Sequence, residues 1–191
     1  MRYRKGTAMK RSLYPNDYVD STYMIDFEKL YQEGYRGVIF DVDNTLVPHG
    51  APADERAIAL FDWLHSLGYR VTLLSNNKEP RVQQFCRQVV GAEYIFKAGK
   101  PKPANYRKAM ERMGTDAKST IFVGDQIFTD IWGANLAGIR SVLVKPILPW
   151  KEEIQIIIKR FIEALVLGGY RIYKRYGDTI QPVPLRREIG D

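Results

Sequence analysis

The chain is poor in the side chains that cross-link a protein or seat a soft metal. A single cysteine, Cys86, stands among 191 residues. That excludes an intramolecular disulfide and a multi-cysteine zinc site. Cys86 lies beside Phe85 in the helix-like stretch RVQQFCRQVV and reads as a buried, inert thiol in a reducing compartment. The two histidines, His49 and His65, are sixteen positions apart, which is no metal-ligand spacing. No apolar run approaches the ~18 residues of a spanning helix. The basic first segment, MRYRKGTAMKRSLYPNDY, lacks the apolar core of a signal peptide. The expected location is the cytoplasm, with peripheral contact to a membrane left open. Internal repeats and low-complexity tracts are absent from the sequence as well.

What the chain does contain suits one domain with a full core and an appendage: 45% hydrophobic and 27% charged residues. A net charge of +7 and a pI near 9.4 suit an anionic partner, whether phosphate ester, nucleic acid or acidic lipid surface. Solubility alone is the plainer reading of the same charge.

From Gly37 to Val144, compact β-branched runs alternate with helical patterns. GVIFD, YRVTLLS, STIFVGD and IRSVLV read as strands buried on both faces, with EYIF as a further short candidate. Between them lie ADERAIALFDWLHSLG, PRVQQFCRQVV, ANYRKAMERMG and FTDIWGANLAG, with helical spacing or composition. Ala57, Leu60, Phe61 and Leu64 share one helical stripe, and Gly68, Gly114 and Gly138 stand where left-handed caps close helices. The alternation predicts an α/β fold, a parallel sheet with right-handed crossovers and helices on both faces. Ligands of such sheets bind at the carboxyl ends of the strands.

At those ends the sequence turns polar and acidic. Asp41 and Asp43 follow Val38–Phe40, Asp125 follows STIFVG, and Asp130 lies five residues on. Ser75, Asn76 and Asn77 close the middle strand with hydroxyl and amide donors, and Lys100 and Lys102 bring positive charge in KAGKPKP. Crowded carboxylates raise each other's proton affinity unless a cation compensates. Mg²⁺ suits a few carboxylates plus waters and a substrate phosphate. The set suits phosphoryl transfer through an aspartyl-phosphate, with one carboxylate attacking phosphorus and a neighbour moving the proton. Strand-end capping would explain an isolated acidic pair. Three polar clusters at separate strand ends, in consistent order, favour a site. Thr129 stays open between that site and the cap of a following helix.

The order of these motifs resembles the haloacid dehalogenase superfamily of phosphatases: DVDNT (Asp41–Thr45), LLSNN with Ser75, GKPKP with Lys100, and GDQIFTD with Asp125 and Asp130. The resemblance implies a three-layer Rossmann-like core and a role for each residue. Asp41 would be the nucleophile and a Mg²⁺ ligand. Asp43 would be the general acid and base, also lending its backbone carbonyl to the metal. Ser75 would hydrogen-bond the transferring phosphoryl group, and Lys100 would stabilise the aspartyl-phosphate, with Lys102 as the alternative lysine. Asp125 would ligate Mg²⁺, and Asp130 would ligate it or orient its shell. Thr45, Asn76 and Lys102 would support substrate binding.

Twenty-nine residues separate Thr45 from Ser75, and Ser75 and Lys100 are 25 positions apart. Neither gap holds a cap domain, so the site is expected to lie open. A small metabolite would then need a second subunit for its specificity; otherwise the phosphate is presented on something large. The flank LYPNDYVDSTYMIDFEKLYQEGYRGVIFDVDNTLVP is similar to the entry segment of YqeG-type phosphatases, a capless branch called subfamily IIIA. Ile25, Asp26, Leu30 and Gly34 carry that likeness. The branch resembles the mitochondrial phosphatidylglycerophosphate phosphatase of yeast. It implies phosphatidylglycerophosphate as favoured substrate, hence phospholipid metabolism, with soluble nucleotide, sugar or protein phosphates as the alternative.

The expected organisation is a basic N-terminal extension packing on the core (1–36), a capless core (37–147), and a C-terminal amphipathic helix and tail (148–191). In that helix Ile154, Ile157, Ile158, Phe161 and Leu165 form one face, and Glu152, Gln155, Lys159, Arg160 and Glu163 the other. Tyr170, Tyr173 and Tyr176 interleave with Arg171, Lys174 and Arg175. Interfacial helices have this character. So do helices that cover a core or a dimer interface. All three settings stay open, as does the oligomeric state. A nucleic-acid or assembly-binding protein on the same scaffold ranks last, because it gives the acid–lysine set no role and no RNA- or DNA-reading motif is present.

Overall fold

The structure, a computed structural model, describes residues 13–148, 154–177 and 181–186; within the last helix the side chains of 154–161 and 175–177 lie outside the description. The described strands form one parallel sheet: β1 (Asp17–Val19), β2 (Gly37–Phe40), β3 (Arg70–Leu74), β4 (Ala92–Ile95), β5 (Thr120–Gly124) and β6 (Arg140–Val144). Their spatial order is β1-β6-β5-β2-β3-β4. In β2, Val38, Ile39 and Phe40 are all fully buried, as continuous apolar runs are when helices cover both faces of a parallel sheet. Because side chains alternate across a strand, Val38 and Phe40 join Phe61 and Phe85 on one face. Ile39 joins Tyr106 and Phe122 on the other. Phe40 pairs with Leu73 of β3 and Val123 of β5. Asp41, Ser75 and Asp125 therefore leave the sheet at one edge.

The helices are α1 (Phe27–Gln32), α2 (Glu55–Leu67), α3 (Glu79–Cys86), α4 (Ala104–Met113), α5 (Trp132–Ala137) and α6 (Ile154–Gly177). Helix α2 starts where the Asp54 side chain accepts from Ala57 N at 2.8 Å. It buries the stripe Ala57, Leu60, Phe61 and Leu64, and stops at Gly68 in the left-handed region. Cys86 closes α3 and is half-buried rather than enclosed.

Two features depart from the sequence pattern. Asp17–Val19 adds an edge strand, pairing Asp17 with Val142 of β6. Three residues are too few for a period to register. The strand is held instead by a buried carboxylate: Asp17 accepts from Arg140 Nε at 2.9 Å and from Val183 N at 2.7 Å. The second departure is the face of α6. Leu165, placed on the apolar face, is 77% exposed, whereas Glu163, placed on the polar face, is 6% exposed. Val166 and Leu167 pack instead against Ile127, Ile131 and Leu143. Tyr170 meets Tyr14 edge-on at 5.9 Å. Directed bonding outweighs spacing here, since Glu163 reaches Ile127 N at 2.7 Å. Ile154, Ile157, Ile158 and Phe161 lie outside the described side chains.

Candidate active site

The site forms where β2, β3 and β5 end. After Asp43 the chain turns at Asn44, whose φ of 61° is the left-handed conformation asparagine tolerates. Leu46 N then closes on Val42 O at 3.0 Å. Asp41 and Asp43 thereby line one cleft of about 200 Å³ with Ser75, Asn76, Asn77 and Lys100; Asn44, His49, Gln126 and Thr129 complete the wall.

Beneath that cleft three buried carboxylates meet. Asp41, Asp125 and Asp130 bring oxygens within 4.8 Å of one another. Lys100 Nζ donates to Asp41 Oδ1 and to Asp130 Oδ1, each at 2.6 Å. Asn76 holds the lysine's backbone, accepting from Lys100 N at 2.8 Å and donating to Lys100 O at 3.3 Å. The Lys100–Pro101 peptide bond is cis. Asp130 reaches the group because Ile127–Ile131 form a π turn, and Gln126 N donates to Asp130 Oδ2 at 3.0 Å. The Tyr106 hydroxyl ties that turn to α4 by donating to Thr129 O at 2.8 Å. Gly124 leaves the necessary room: a Cβ there would stand 2.7 Å from the Asp130 carboxyl.

Asp43 is held apart from this group. Its Oδ2 accepts from Asn77 Nδ2 at 2.6 Å. Its Oδ1 accepts from Gly50 N at 2.7 Å and from Arg81 Nη2 at 2.8 Å. Asn77 was visible in the sequence as a donor but did not stand out. Arg81 carried no signal there, lying in a stretch whose spacing speaks only of a helix.

Burial pushes the Asp41 carboxyl well above the usual carboxylate range; Lys100 opposes the rise, while Asp130 and Asp125 add to it. Burial acts to lower the Lys100 ammonium, but Asp130 and Asp41 outweigh it and hold the proton on. One ammonium against three carboxylates leaves an excess of negative charge in a low-dielectric pocket. The donors are all oxygen, which fits a hard divalent cation such as Mg²⁺ rather than a soft one. Asp41, Asp125 and Asp130 are the described residues that could hold it.

The remaining sequence expectations divide. Ser75 is buried and lines the cleft, with its Oγ accepting from Asn77 N at 3.2 Å. Thr45, expected at the substrate, is buried below it and donates to Asp125 Oδ1 at 3.1 Å. Lys102 is exposed and outside the cleft lining; the turn that buries Lys100 sends it outward. Thr129 lines the cleft within the π turn and caps no helix, since α5 begins three residues later without a side-chain cap.

A parallel sheet whose strand ends gather these acids and a buried lysine defines a phosphatase of haloacid dehalogenase type. Residues 49–138 match the family model of the haloacid dehalogenase-like hydrolases. The chain is also 35% identical, over 140 residues, to the probable phosphatase YqeG of Bacillus subtilis, covering 73% of this chain and 81% of that one. It belongs to the haloacid dehalogenase-like hydrolases and is a phosphatase of that family. It is 29% identical over 189 residues to phosphatidylglycerophosphate phosphatase 1, chloroplastic/mitochondrial, of Arabidopsis thaliana. That match spans 91% of this chain but 51% of the plant protein. Among solved structures, the cobalt-bound deoxy-D-mannose-octulosonate 8-phosphate phosphatase of Haemophilus influenzae shares the fold. Its TM-score is 0.50 at 15% identity, covering 77% of this chain and 92% of that one.

Proposed function

We propose that the protein is a Mg²⁺-dependent phosphomonoesterase that works through an aspartyl-phosphate on Asp41. The observation that carries the reading is the placement of Lys100 Nζ 2.6 Å from Asp41 and from Asp130, with Asp125 in the same buried group. A carboxylate oxygen of Asp41 attacks phosphorus and the bond to the ester oxygen breaks. The leaving oxygen takes a proton from the Asp43 carboxyl. Water then attacks phosphorus, Asp43 takes up its proton, and inorganic phosphate departs as the Asp41–phosphorus bond breaks. Asp41, Asp125 and Asp130, with the backbone carbonyl of Asp43, would hold Mg²⁺, which would supply positive charge to the phosphoryl oxygens. Ser75 donates to the phosphoryl group, Lys100 neutralises its charge, Asn76 positions Lys100, and Thr45 positions Asp125. Residues 37–147 carry this chemistry, flanked by 13–36 and by α6; the rest of the expected extension and tail (1–12, 149–153, 178–180 and 187–191) lies outside the described residues.

The favoured substrate is phosphatidylglycerophosphate. Its support is the similarity to the phosphatidylglycerophosphate phosphatases of Arabidopsis thaliana and Chlamydomonas reinhardtii and the exposed apolar stripe of α6. Ile162, Leu165 and Ile172 are 50%, 77% and 65% exposed and share one helical side, with Arg171 and Lys174 on the same helix. Such a stripe beside cations suits shallow, peripheral binding to an acidic lipid surface. Among the described residues no helix is long and apolar enough to cross a membrane. Purified protein with Mg²⁺, assayed on phosphatidylglycerophosphate vesicles and on soluble esters, tests the proposal. Preferred turnover of the lipid supports it. Exclusive turnover of soluble esters would replace the substrate, and full activity of Asp41→Asn would remove the nucleophile.

A further inference from the structure

Glu163 is a buried carboxylate that the proposed chemistry does not use. It lies on α6 and is 6% exposed. Its Oε1 accepts from Ile127 N at 2.7 Å and from Phe128 N at 3.4 Å. These are the first two N–H groups of the π turn, whose entrance follows Asp125 and whose fourth residue is Asp130. The leading N–H groups of any helical turn have no acceptor within it. A side-chain oxygen normally supplies one locally, and a negative charge suits that end. Here the local position is taken by Gln126, which makes no capping bond. Glu163 supplies the acceptor from 36 residues away.

The surroundings raise the value of that bond. A cavity of about 110 Å³ is lined by Glu163 and Asp125 together with Leu143, Pro146, Ala164 and Leu167. In such apolar surroundings a hydrogen bond is stronger and its loss leaves an exposed cost. Packing of Val166 and Leu167 on Ile127 and Ile131 also holds the turn, but apolar contact fixes no direction. The Glu163 bond does: it is directed at the Ile127 amide, two residues after Asp125 and three before Asp130.

We propose that Glu163 is a positioning residue, through which the C-terminal helix sets the geometry of the Asp125–Asp130 turn for its metal. This rests on the metal-dependent reading given above. The helix is then part of the catalytic domain's working order as well as a surface element, and its exposed outer side backs directly onto the turn.

The test is calorimetric titration of Mg²⁺ into the metal-free full chain, with amide exchange at Ile127 and Phe128 read alongside. Glu163→Ala removes the acceptor. Glu163→Asp keeps the charge but withdraws the carboxylate by about one carbon–carbon bond, roughly 1.5 Å. Glu163→Gln keeps an oxygen that accepts from Ile127. Leu167→Ala is the control for helix packing alone. The expected result is a Kd for Mg²⁺ about tenfold higher in the Ala and Asp variants, the lower end for groups that orient metal ligands. Exchange at Ile127 should quicken in both, and the Gln variant should recover most of the affinity. A fold defect would lower the titrated fraction rather than shift Kd, and the Asp variant decides the matter should the Ala variant not fold. Wild-type affinity in the Ala or Asp variant overturns the inference. Equal weakening by Leu167→Ala also overturns it. Absence of Mg²⁺ binding by the wild type would instead refute the metal-dependent reading and remove the inference with it.

Discussion

Replacing Lys100 with methionine tests the electrostatic core of the site. The lysine side chain is 3% exposed and is paired at 2.6 Å with both Asp41 and Asp130. Methionine fills similar space without charge, leaving three buried carboxylates facing one another. Removing one partner from a buried ion pair costs about 3–5 kcal/mol. For a chain of this size that corresponds to a drop in Tm of roughly 6–20 °C. The loss should depend on pH. Asp41 already has its carboxyl raised in the folded state, and losing Lys100 raises it further. The folded protein then holds a proton that the unfolded chain has released. Stability therefore falls as pH rises above the ordinary carboxylate range, and recovers on acidification. Calorimetry in EDTA at pH 7.5 and 5.5 should show the larger deficit at 7.5. Mg²⁺ should raise the Tm of the variant more than that of the wild type, since without the ammonium more uncompensated negative charge faces the cation. A Tm in EDTA indistinguishable from wild type at both pH values would refute the reasoning.

Gly124→Ala should place a methyl 2.7 Å from Asp130, about 0.8 Å inside the optimal carbon contact distance. Overpacking of that kind costs about 1–3 kcal/mol; displacing a catalytic group by about 1 Å should lower kcat near 100-fold, and wild-type kcat would contradict the placement of Asp130. Asp41→Asn should abolish turnover of every phosphomonoester while far-UV dichroism stays unchanged; residual activity above the reagent blank would refute it. Burial, with Glu93 adding to it, pushes the Cys86 thiol up, so alkylation by iodoacetamide at pH 7 should be slower than for a free thiol. Reaction at the free-thiol rate would refute the packing drawn for α3.

The fold was legible because its signals are local. Short, β-branched apolar runs such as VIF and TIFVG between helical patterns read as buried strands, and Gly68, Gly114 and Gly138 occupy left-handed caps where helices stop. The acidic strand ends were legible for the same reason, since residues following parallel strands share an edge whatever else the chain does. Arg81 and Glu163 left no such trace. Each is a charged residue on a helix, and only the partner it meets, Asp43 or the Ile127 amide, separates it from a solvated surface charge. The place of Glu163 on α6 was misread on that account: hydrophobic spacing puts it on the polar side, yet it is buried and accepts from the Ile127 amide.

The sequence by itself determined the alternation of strand and helix, the edge at which Asp41, Ser75, Lys100 and Asp125 gather, and the shortness of the gaps between them. These follow from periodicity and turn chemistry, which act over a few residues. Tertiary structure alone decided that Lys100 turns inward while Lys102 turns out, that Asp43 is held by Arg81, and that α6 reaches the Asp125 turn through Glu163. Those outcomes depend on which groups meet across dozens of residues once water is excluded, and no local pattern encodes the meeting.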